Sequence, residues 1–258
     1  MKKLLIIILF FGFSFGQNIL STHSNGKPKE VGTLKDGKPH GIFKVFHENG
    51  QLKYQSSFKD GIPDGLYTWY HDNGQIEETG TYINNQWTGQ VMMYYRDGIL
   101  KEDYFNINGK INGIFKSYYP NGKLKKEETF KNGKLDGPIK FYLENGQLEE
   151  ESMFRDGKQE GLYKLYYPSG KLKVEKIYKN DISNGPTILY HENGKIQLKG
   201  ILKNGKMDGL VKMYDQNGQL QREGTWKDGE VIDYKDFELD VMLDSLNIDY
   251  LKSSTTVE

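Results

Sequence analysis

Short apolar runs alternate with polar, glycine-containing turns along most of this chain. Residues 42–46 and 51–58 are two such runs of strand-forming residues, and Asn49 and Gly50 lie between them. An Asn-Gly pair between two apolar runs is a strong signal for a β-hairpin. The segment therefore predicts two antiparallel strands joined by a tight turn.

The hairpin pattern recurs every 24 residues, as three series of glycines show. The first series is Gly41, Gly65, Gly89, Gly113, Gly137, Gly161, Gly185 and Gly209. The second is Gly26, Gly50, Gly74, Gly98, Gly122, Gly146, Gly170, Gly194 and Gly218. The third is Gly37, Gly61, Gly109, Gly133, Gly157, Gly205 and Gly229, with Asn85 and Asp181 at its other two places. A fixed period of this length indicates a repeat array.

The two substitutions in the third series identify its role. Asn and Asp are the residues other than glycine that best tolerate a left-handed backbone, and they occupy positions 85 and 181. The third series therefore predicts a position with positive φ rather than a requirement for small size.

The register of each hairpin follows from the length of its loop. A three-residue loop, Glu48 to Gly50, pairs Phe46 with Leu52 across the hairpin. The equivalent pairs are Tyr70–Ile76, Tyr94–Leu100, Tyr118–Leu124, Tyr142–Leu148, Tyr166–Leu172, Tyr190–Ile196 and Tyr214–Leu220. An aromatic residue then faces an aliphatic residue in each hairpin, which is a favourable cross-strand pair.

The alternation of side chains along a strand predicts which residues share a face. Residues 42, 46, 52 and 58 should lie together on one apolar face. The third repeat departs from this pattern because Asn106 takes the place of an aromatic residue beside Phe105, so a slip or bulge is an open possibility there. The first strand of each hairpin is apolar on both sides. This predicts either a curled sheet buried on both faces or an aromatic groove available to a partner.

These features predict an all-β fold, an elongated antiparallel meander of about eight 24-residue hairpin repeats. We expect a signal peptide at residues 1–16, a partial N-terminal capping repeat at 17–40, the repeats at 41–232 and an acidic cap or tail at 233–258. At about 4.8 Å per strand, roughly 16 strands in one sheet would extend about 75–80 Å.

Both termini depart from the repeat pattern. Two lysines precede an apolar run from Leu4 to Phe15, which is typical of a secretory signal, although a retained anchor is the alternative. Cleavage near Gly16 would direct the protein to the periplasm, the cell surface or the medium. The C-terminal segment has apolar residues at helical spacing, so we expect a short capping helix near residues 236–246. The alternative is a disordered acidic tail.

The sequence offers no arrangement suited to catalysis, metals or cofactors. Lysine plus arginine and aspartate plus glutamate each number 35, so the net charge is zero, and there is no cysteine. A neutral charge argues against general nucleic-acid binding. His47, His71 and His191 share one repeat position, but other repeats place Tyr, Leu or Asp there, so we expect surface residues beside turns. We therefore expect a protein that is not an enzyme and needs no metal or cofactor.

The repeat unit resembles the MORN repeat in its bacterial variant form. The matching segment runs from Gly161 to Leu172 and closes on Asp181, with the order glycine, aromatic, aromatic, Ser-Gly, leucine. The resemblance implies a β-hairpin array and a role in binding proteins or membranes, with no catalytic residue. Many bacterial members carry the label of YwqK-type antitoxins, which are cytosolic, and this fits poorly with an export signal.

The aromatic residues of the first strands are the candidate partner-binding face. They are Phe43, Tyr67, Trp69, Tyr70, Tyr94, Phe115, Tyr118, Phe141, Tyr142, Tyr163, Tyr166, Tyr190 and Tyr214. We expect the partner to be another protein, with envelope glycan or lipid headgroups as the alternative; the oligomeric state is left open.

Overall fold

A computed structural model describes residues 18–235, which form β-strands and turns with no helix in that range. The strands are β1 Asn18–Thr22, β2 Pro28–Gly32, β3 Leu34–Lys35, β4 Lys38–Pro39, β5 Gly41–Phe46, β6 Leu52–Lys59, β7 Ile62–Tyr70, β8 Ile76–Ile83, β9 Gln86–Trp87, β10 Gly89–Tyr94, β11 Leu100–Ile107, β12 Lys110–Ile111, β13 Gly113–Tyr118, β14 Leu124–Lys131, β15 Lys134–Tyr142, β16 Leu148–Arg155, β17 Lys158–Gln159, β18 Gly161–Tyr166, β19 Leu172–Lys179, β20 Ile182–Tyr190, β21 Ile196–Lys203, β22 Lys206–Met207, β23 Gly209–Tyr214, β24 Leu220–Lys227 and β25 Glu230–Lys235. The prediction of an all-β antiparallel meander is confirmed.

The Asn-Gly turns have the predicted three-residue loop. His47 N–H donates to the Gln51 carbonyl at 2.8 Å, and Gly50 N–H donates to the His47 carbonyl at 2.9 Å. Gly50 has a φ of 92°, so the left-handed conformation expected at the end of this loop is present. The predicted aromatic–aliphatic pairs form at 46–52, 70–76, 94–100, 118–124, 166–172, 190–196 and 214–220.

The other turn of each repeat is a two-residue loop. Lys59 pairs with Ile62, and the two residues between them, Asp60 and Gly61, have φ angles of 50° and 86°. Positive φ at both central residues is the type I′ geometry favoured in hairpins. Asn85 and Asp181 have φ angles of 66° and 67°, which confirms the prediction made from the third series.

A β-bulge beside each Asn-Gly turn corrects the predicted assignment of faces. Val45 pairs with Tyr54 but Phe46 pairs with Leu52, so one extra residue lies on β6. The same shift recurs in the other described hairpins. Away from the turn, Ile42 therefore pairs with Ser57, and Phe58 pairs with the opening glycine. Residues 42, 46, 52 and 58 do not share one face, because a bulge inverts the alternation that relates the two strands.

We number positions within each repeat from 1 to 24, with Gly41 at position 1. Positions 3, 5, 14, 16 and 18 lie on one face, here called the buried face. Phe43 illustrates it, because its ring packs edge-on against Phe58 with centroids 5.7 Å apart. The buried position 3 residues are Tyr67, Val91, Ile139, Tyr163, Thr187 and Val211. The opposite face, with positions 2, 4, 6, 15 and 17, is called the open face.

The third repeat keeps the register of the others. Gly89 pairs with Asn106 and Val91 pairs with Tyr104, so the slip or bulge considered at this site is absent. Asn106 is only 4% exposed and lies on the buried face, where other repeats place an aromatic ring or a leucine. The departure is therefore a change of side chain within an unchanged backbone.

The described chain forms two compact units. The first contains residues 18–148 and Met153–Lys158, and the second contains Glu149–Ser152 and residues 159–235. In the second unit the buried side chains of Leu198, Val211 and Trp226 form a hydrophobic cluster.

Two predictions fall outside residues 18–235. The signal peptide at 1–16 and the helix near 236–246 both lie beyond the described residues. Within the described range, no helix has the length and apolar character needed to span a bilayer.

Candidate binding surfaces

The predicted aromatic surface is divided between the two faces. Its position 6 members lie on the open face: Tyr70, Tyr94, Tyr118 and Tyr142 in the first unit, and Tyr166, Tyr190 and Tyr214 in the second. Its position 3 and 5 members lie on the buried face: Phe43, Tyr67, Trp69, Phe115 and Phe141 in the first unit, and Tyr163 in the second. Adjacent strand residues point to opposite sides, so positions 5 and 6 cannot serve one surface.

Two members of the predicted set are not accessible. Tyr67 and Tyr163 are 2% and 4% exposed. The Tyr67 hydroxyl donates to Glu78 Oε1 at 2.6 Å, and burial followed by this carboxylate raises the pKa of Tyr67 far above its ordinary value. These two tyrosines are part of the packed interior and cannot contact a partner.

The position 6 tyrosines form a row of half-buried rings along the open face of each unit. Tyr166 donates its hydroxyl hydrogen to Glu151 Oε1 at 2.8 Å. Burial and this hydrogen bond raise the pKa of Tyr166 to about 12. In the same unit, Lys199 Nζ lies 5.6 Å from the centroid of the Tyr214 ring. The row therefore presents aromatic surface bordered by charged side chains.

Ion pairs run beside the tyrosine row on the open face. In the first unit, Lys116 Nζ lies 3.8 Å from Glu127 Oε2. In the second unit, Lys212 Nζ lies 3.3 Å from Glu223 Oε2. Lysine at position 4 thus meets glutamate at position 15 on the neighbouring strand. Such partly exposed pairs contribute at most about 1 kcal/mol each, and they give the centre of this face a regular polar band.

Exposed apolar side chains form a third band on the open face. Leu66, which is 70% exposed, is the most exposed of them. The other members at positions 2 and 17 are Ile42, Phe105, Ile114 and Met153 in the first unit and Leu162, Ile201 and Leu210 in the second. Exposed isoleucines at positions 19 and 22, beside the two-residue turns, extend the band: Ile62, Ile83 and Ile107 in the first unit and Ile182 in the second. We call these residues the aliphatic band. Large contiguous exposed apolar surface is uncommon on soluble monomeric proteins and is a feature typical of interaction sites.

Ile42, and by the same rule Leu66, was expected on one apolar face with the equivalents of residues 46, 52 and 58, so the aliphatic band was not predicted. The signal that could have identified it is the pairing of position 2 with position 17, where Ser57 and Thr81 stand opposite these residues. A buried aliphatic residue would be expected to face another apolar residue.

Side chains at several of the Asn-Gly turns hydrogen-bond to the backbone of the following repeat. His47 Nε2 lies 3.1 Å from the carbonyl oxygen of Tyr70, and His71 Nε2 lies 3.1 Å from that of Tyr94. In the next repeat, Tyr95 donates its hydroxyl to the Tyr118 carbonyl at 2.7 Å. A carbonyl only accepts, so each histidine must carry its proton on Nε2. Histidine and tyrosine both occur at this position, since each supplies a hydrogen-bond donor that reaches the carbonyl of the next repeat.

Asparagines add a second row of inter-repeat hydrogen bonds at the same turns. Asn49 Nδ2 donates to the Asp72 carbonyl at 2.9 Å, and its Oδ1 accepts from Gln51 N–H at 2.9 Å. Asn73 and Asn193 repeat the interaction with Arg96 and Gln216. The asparagine therefore shapes its own turn and ties that turn to the following one.

Residues 18–235 contain no group of three or more side chains suited to holding a metal ion. His47, His71 and His191 each direct Nε2 to a backbone carbonyl. The histidines thus have a described structural role at the turns.

The second unit contains a lysine whose side chain is buried among aromatic rings. Lys176 is 4% exposed, and its Nζ lies 4.9 Å and 4.8 Å from the ring centroids of Tyr163 and Tyr178. Burial lowers the pKa of Lys176 to about 8, although the nearby Glu150 carboxylate opposes this shift. Burial also raises the pKa of Glu150. The two rings and the carboxylate together stabilise an ammonium group in a largely dehydrated place.

Comparisons with known proteins add a family match. A family model described as MORN repeat variant matches residues 39–60, 63–84, 111–132, 135–156, 159–180, 183–204 and 207–228, which together exceed half of the chain. The repeat that contains Asn106 lies between the second and third matches and is not matched. Among curated proteins, none matches the chain.

One solved structure of a similar chain is a porin-like protein from Bacteroides uniformis. The two chains share 10% identity over 75% of this chain and 89% of that chain, with a TM-score of 0.17. A TM-score this low supports no argument about fold or function.

Proposed function

We propose, from the premise that this chain belongs to the MORN repeat variant family, that it is an exported, noncatalytic scaffold that binds another protein along the open face of its repeats. The observation that supports this proposal is the aliphatic band. Large apolar side chains stay exposed at the same repeat positions in both units, where solubility alone would favour polar residues.

The arrangement of the open face suits a protein partner. Aromatic residues are enriched in protein interfaces and the fully buried core of an interface is more apolar than its rim, so the aliphatic band and the tyrosine rings suit a protein partner. Tyrosine in particular supplies a large contact area and a hydroxyl for hydrogen bonding. A partner could therefore combine apolar burial on the aliphatic band with polar contacts to the tyrosine row.

Loss of one specific partner from aliphatic-band variants is the test. The full chain is mixed with an envelope extract of its source, crosslinked, and the captured species are identified by mass spectrometry. Leu66→Asp and Ile114→Asp should each abolish capture of the protein that the unmodified chain retains in stoichiometric amount. Leu34→Asp changes an exposed leucine outside the band and should leave capture intact. Equal capture by all variants would contradict the proposal.

A second candidate is an envelope-binding module for lipid headgroups or glycan. It is favoured by the lysine-rich type I′ turns beside the aliphatic band, such as Lys131 and Lys134 in the first unit and Lys203 and Lys206 in the second. Apolar side chains flanked by lysines suit an anionic interface, and tyrosine rings can stack on sugars. Cosedimentation with anionic liposomes and with purified peptidoglycan tests this candidate, which is eliminated if the protein stays in the supernatant of both.

The YwqK-type antitoxin label is a narrower version of the scaffold proposal. It would make the partner a toxin and the location cytosolic. The proposed export signal at residues 1–16 favours a location outside the cytosol, so an antitoxin role would require that this segment fail to direct export.

A further inference from the structure

A mixed aromatic and acidic row crosses the buried face of the first unit. Tyr54, Trp69, Glu78, Met93 and Glu102 are consecutive partners on five neighbouring strands. Neighbouring strands lie about 4.8 Å apart, so these side chains stand side by side. We call this set the acidic aromatic row. It lies on the face opposite the tyrosine row, and the inference below is independent of the proposed function.

Trp69 is the accessible aromatic residue of this row. It is 37% exposed, whereas Tyr67 on the same face is 2% exposed. The Tyr54 and Trp69 rings lie 4.4 Å apart at 41°, which holds the indole in place. An ordered and accessible tryptophan face is the strongest side-chain partner for a cation.

The two carboxylates of the row have no cationic partner within residues 18–235. Glu78 accepts a hydrogen bond from the Tyr67 hydroxyl at 2.6 Å. Neither Glu78 nor Glu102 forms an ion pair with a described lysine, arginine or histidine. Burial, followed by the negative charges of Glu78 and Glu102, raises the pKa of Tyr104 to about 12. Both carboxylates therefore lie near enough to influence the Tyr104 hydroxyl. This part of the face thus carries uncompensated negative charge.

At buried-face positions of two later repeats, a lysine of the chain itself lies beside the aromatic rings and a glutamate. In the second unit, Lys176 Nζ lies over the rings of Tyr163 and Tyr178 near the Glu150 carboxylate. Position 14 in the fourth repeat shows the same preference, since Lys126 Nζ lies 5.2 Å from the Phe115 ring and 3.0 Å from Glu128.

The first three repeats lack such a lysine. Position 14 holds Tyr54, Glu78 and Glu102, and position 16 holds Ser56, Gly80 and Tyr104. Aromatic rings and carboxylates remain, but the cation that accompanies them in later repeats is missing from this part of the face. The repeat symmetry therefore indicates the chemistry of what would complete the row.

We propose that the acidic aromatic row binds a lysine or arginine side chain from a basic segment of a partner protein. A cationic group would lie against Trp69 and pair with Glu78 on the adjacent strand. A second basic side chain of the same segment would pair with Glu102, which lies two strands beyond Glu78. A neutral or acidic segment would leave both carboxylates uncompensated and would gain only apolar contact with the indole. Charge complementarity therefore selects basic segments.

The experiment measures binding of a defined peptide to the full chain. The probe is a labelled peptide with five lysines separated by glycine and serine, and its binding is followed by fluorescence anisotropy at low and high salt. The matched control peptide has acetylated lysines, which keep their length but lose their charge. The unmodified chain should bind the first peptide at least tenfold more tightly than the second and should release it at high salt, where exposed charges are screened.

Variants of the row locate the site. Trp69→Leu should weaken peptide binding about tenfold, equivalent to about 1.4 kcal/mol, because the cation–π contact is lost. The double variant Glu78→Gln with Glu102→Gln should weaken it to a similar degree while keeping side-chain volume. Trp87→Leu, at another exposed tryptophan of the same unit, should bind as the unmodified chain does.

Three results of the peptide experiment would contradict the inference. No binding by the unmodified chain, equal binding of the acetylated peptide, or unchanged binding by the carboxylate double variant would each overturn the inference. Circular dichroism checks the fold of every variant. If Trp69→Leu is unfolded, peptide binding by the carboxylate double variant tests the inference by itself. Capture of a partner on the open face does not depend on this result, so the two ideas can fail separately.

Discussion

Tyr67 packs directly over Gly80 on the adjacent strand, and this contact shows what is required of residue 80. A Cβ atom at residue 80 would lie 2.7 Å from Tyr67 Cε1. Gly80 has no positive φ, so the need is for space rather than for a special backbone conformation. Small residues recur at this position as Ser56, Gly80, Ser152, Gly200 and Gly224.

Gly80→Ala tests this requirement. The new methyl group must displace a ring that is almost fully buried, so we expect a loss of about 1–3 kcal/mol in the free energy of unfolding. Urea denaturation measures it. Thr81→Ala, on the open face one residue later, is the matched control and should change stability by less than about 1 kcal/mol. Equal effects of the two substitutions would contradict the packing argument.

Lys176 gives the second unit a pH dependence in the alkaline range. The pKa of Lys176 is about 8 in the folded chain, below its ordinary value of 10.5, because burial disfavours the charged form. The unfolded chain therefore binds more protons than the folded chain between these two values. Stability rises with pH wherever the unfolded state binds more protons.

We expect the unfolding free energy to rise from about pH 8 towards pH 10, through the lowered pKa of Lys176. Above about pH 10 the raised pKa values of Tyr163 and Tyr178 act in the opposite direction, because the unfolded tyrosines ionise first. Lys176→Met should remove the rise, while Lys179→Met at an exposed site should preserve it. Urea midpoints measured from pH 7 to 10 compare them, and a persistent rise in Lys176→Met would contradict the assignment.

At the scale of the elements, the Asn-Gly turns do more than reverse the chain. Where position 7 is histidine or tyrosine, its side chain reaches the backbone carbonyl of position 6 in the next repeat. Adjacent hairpins are thus connected at their turns as well as along their strands. The identity of the donor matters less than its presence, which explains the exchange of histidine and tyrosine.

Comparing His71→Tyr with His71→Phe tests whether position 7 needs a hydrogen-bond donor or only an aromatic ring. Tyrosine should restore the bond to the Tyr94 carbonyl, as Tyr95 does one repeat later, and leave stability nearly unchanged. Phenylalanine keeps a ring but removes the donor and should cost about 1 kcal/mol. Thermal or urea unfolding measures both, and equal stability of the two variants would show that the hydrogen bond contributes nothing.

The sequence predicts the turn and the closing residue pair of each hairpin, but not which face of the sheet every side chain lies on. The Asn-Gly loop and the pairing of Phe46 with Leu52 follow from local signals and are confirmed. The bulge beside that pair has no such signal, because Val45 and Lys53 are ordinary strand residues. The tyrosine row and the buried aromatic rings were assigned to one surface although they lie on two, because alternation along the first strand separates positions 3 and 5 from position 6.

For the whole molecule, the proposed export makes a direct prediction. The apolar run from Leu4 to Phe15 is shorter than the roughly 20 residues that span a bilayer and follows two lysines, so we expect cleavage and release. N-terminal sequencing of the protein from fractionated cells should find a start near Gln17. Deletion of residues 2–16 should leave the protein in the cytosol. An intact N-terminus in the membrane fraction would favour the retained anchor instead.

The sequence by itself determined the period, the three-residue Asn-Gly loop, the positive φ of the third glycine series and the aromatic–aliphatic pairs within hairpins. All of these depend on the conformational limits of single residues and on neighbours close in the chain. The tertiary structure decided which side chains are buried, because one bulged residue in each hairpin reverses the relation between polarity and face. It also decided the contacts between residues 23 apart, such as His47 with Tyr70, because these require adjacent repeats to be stacked before donor and carbonyl meet.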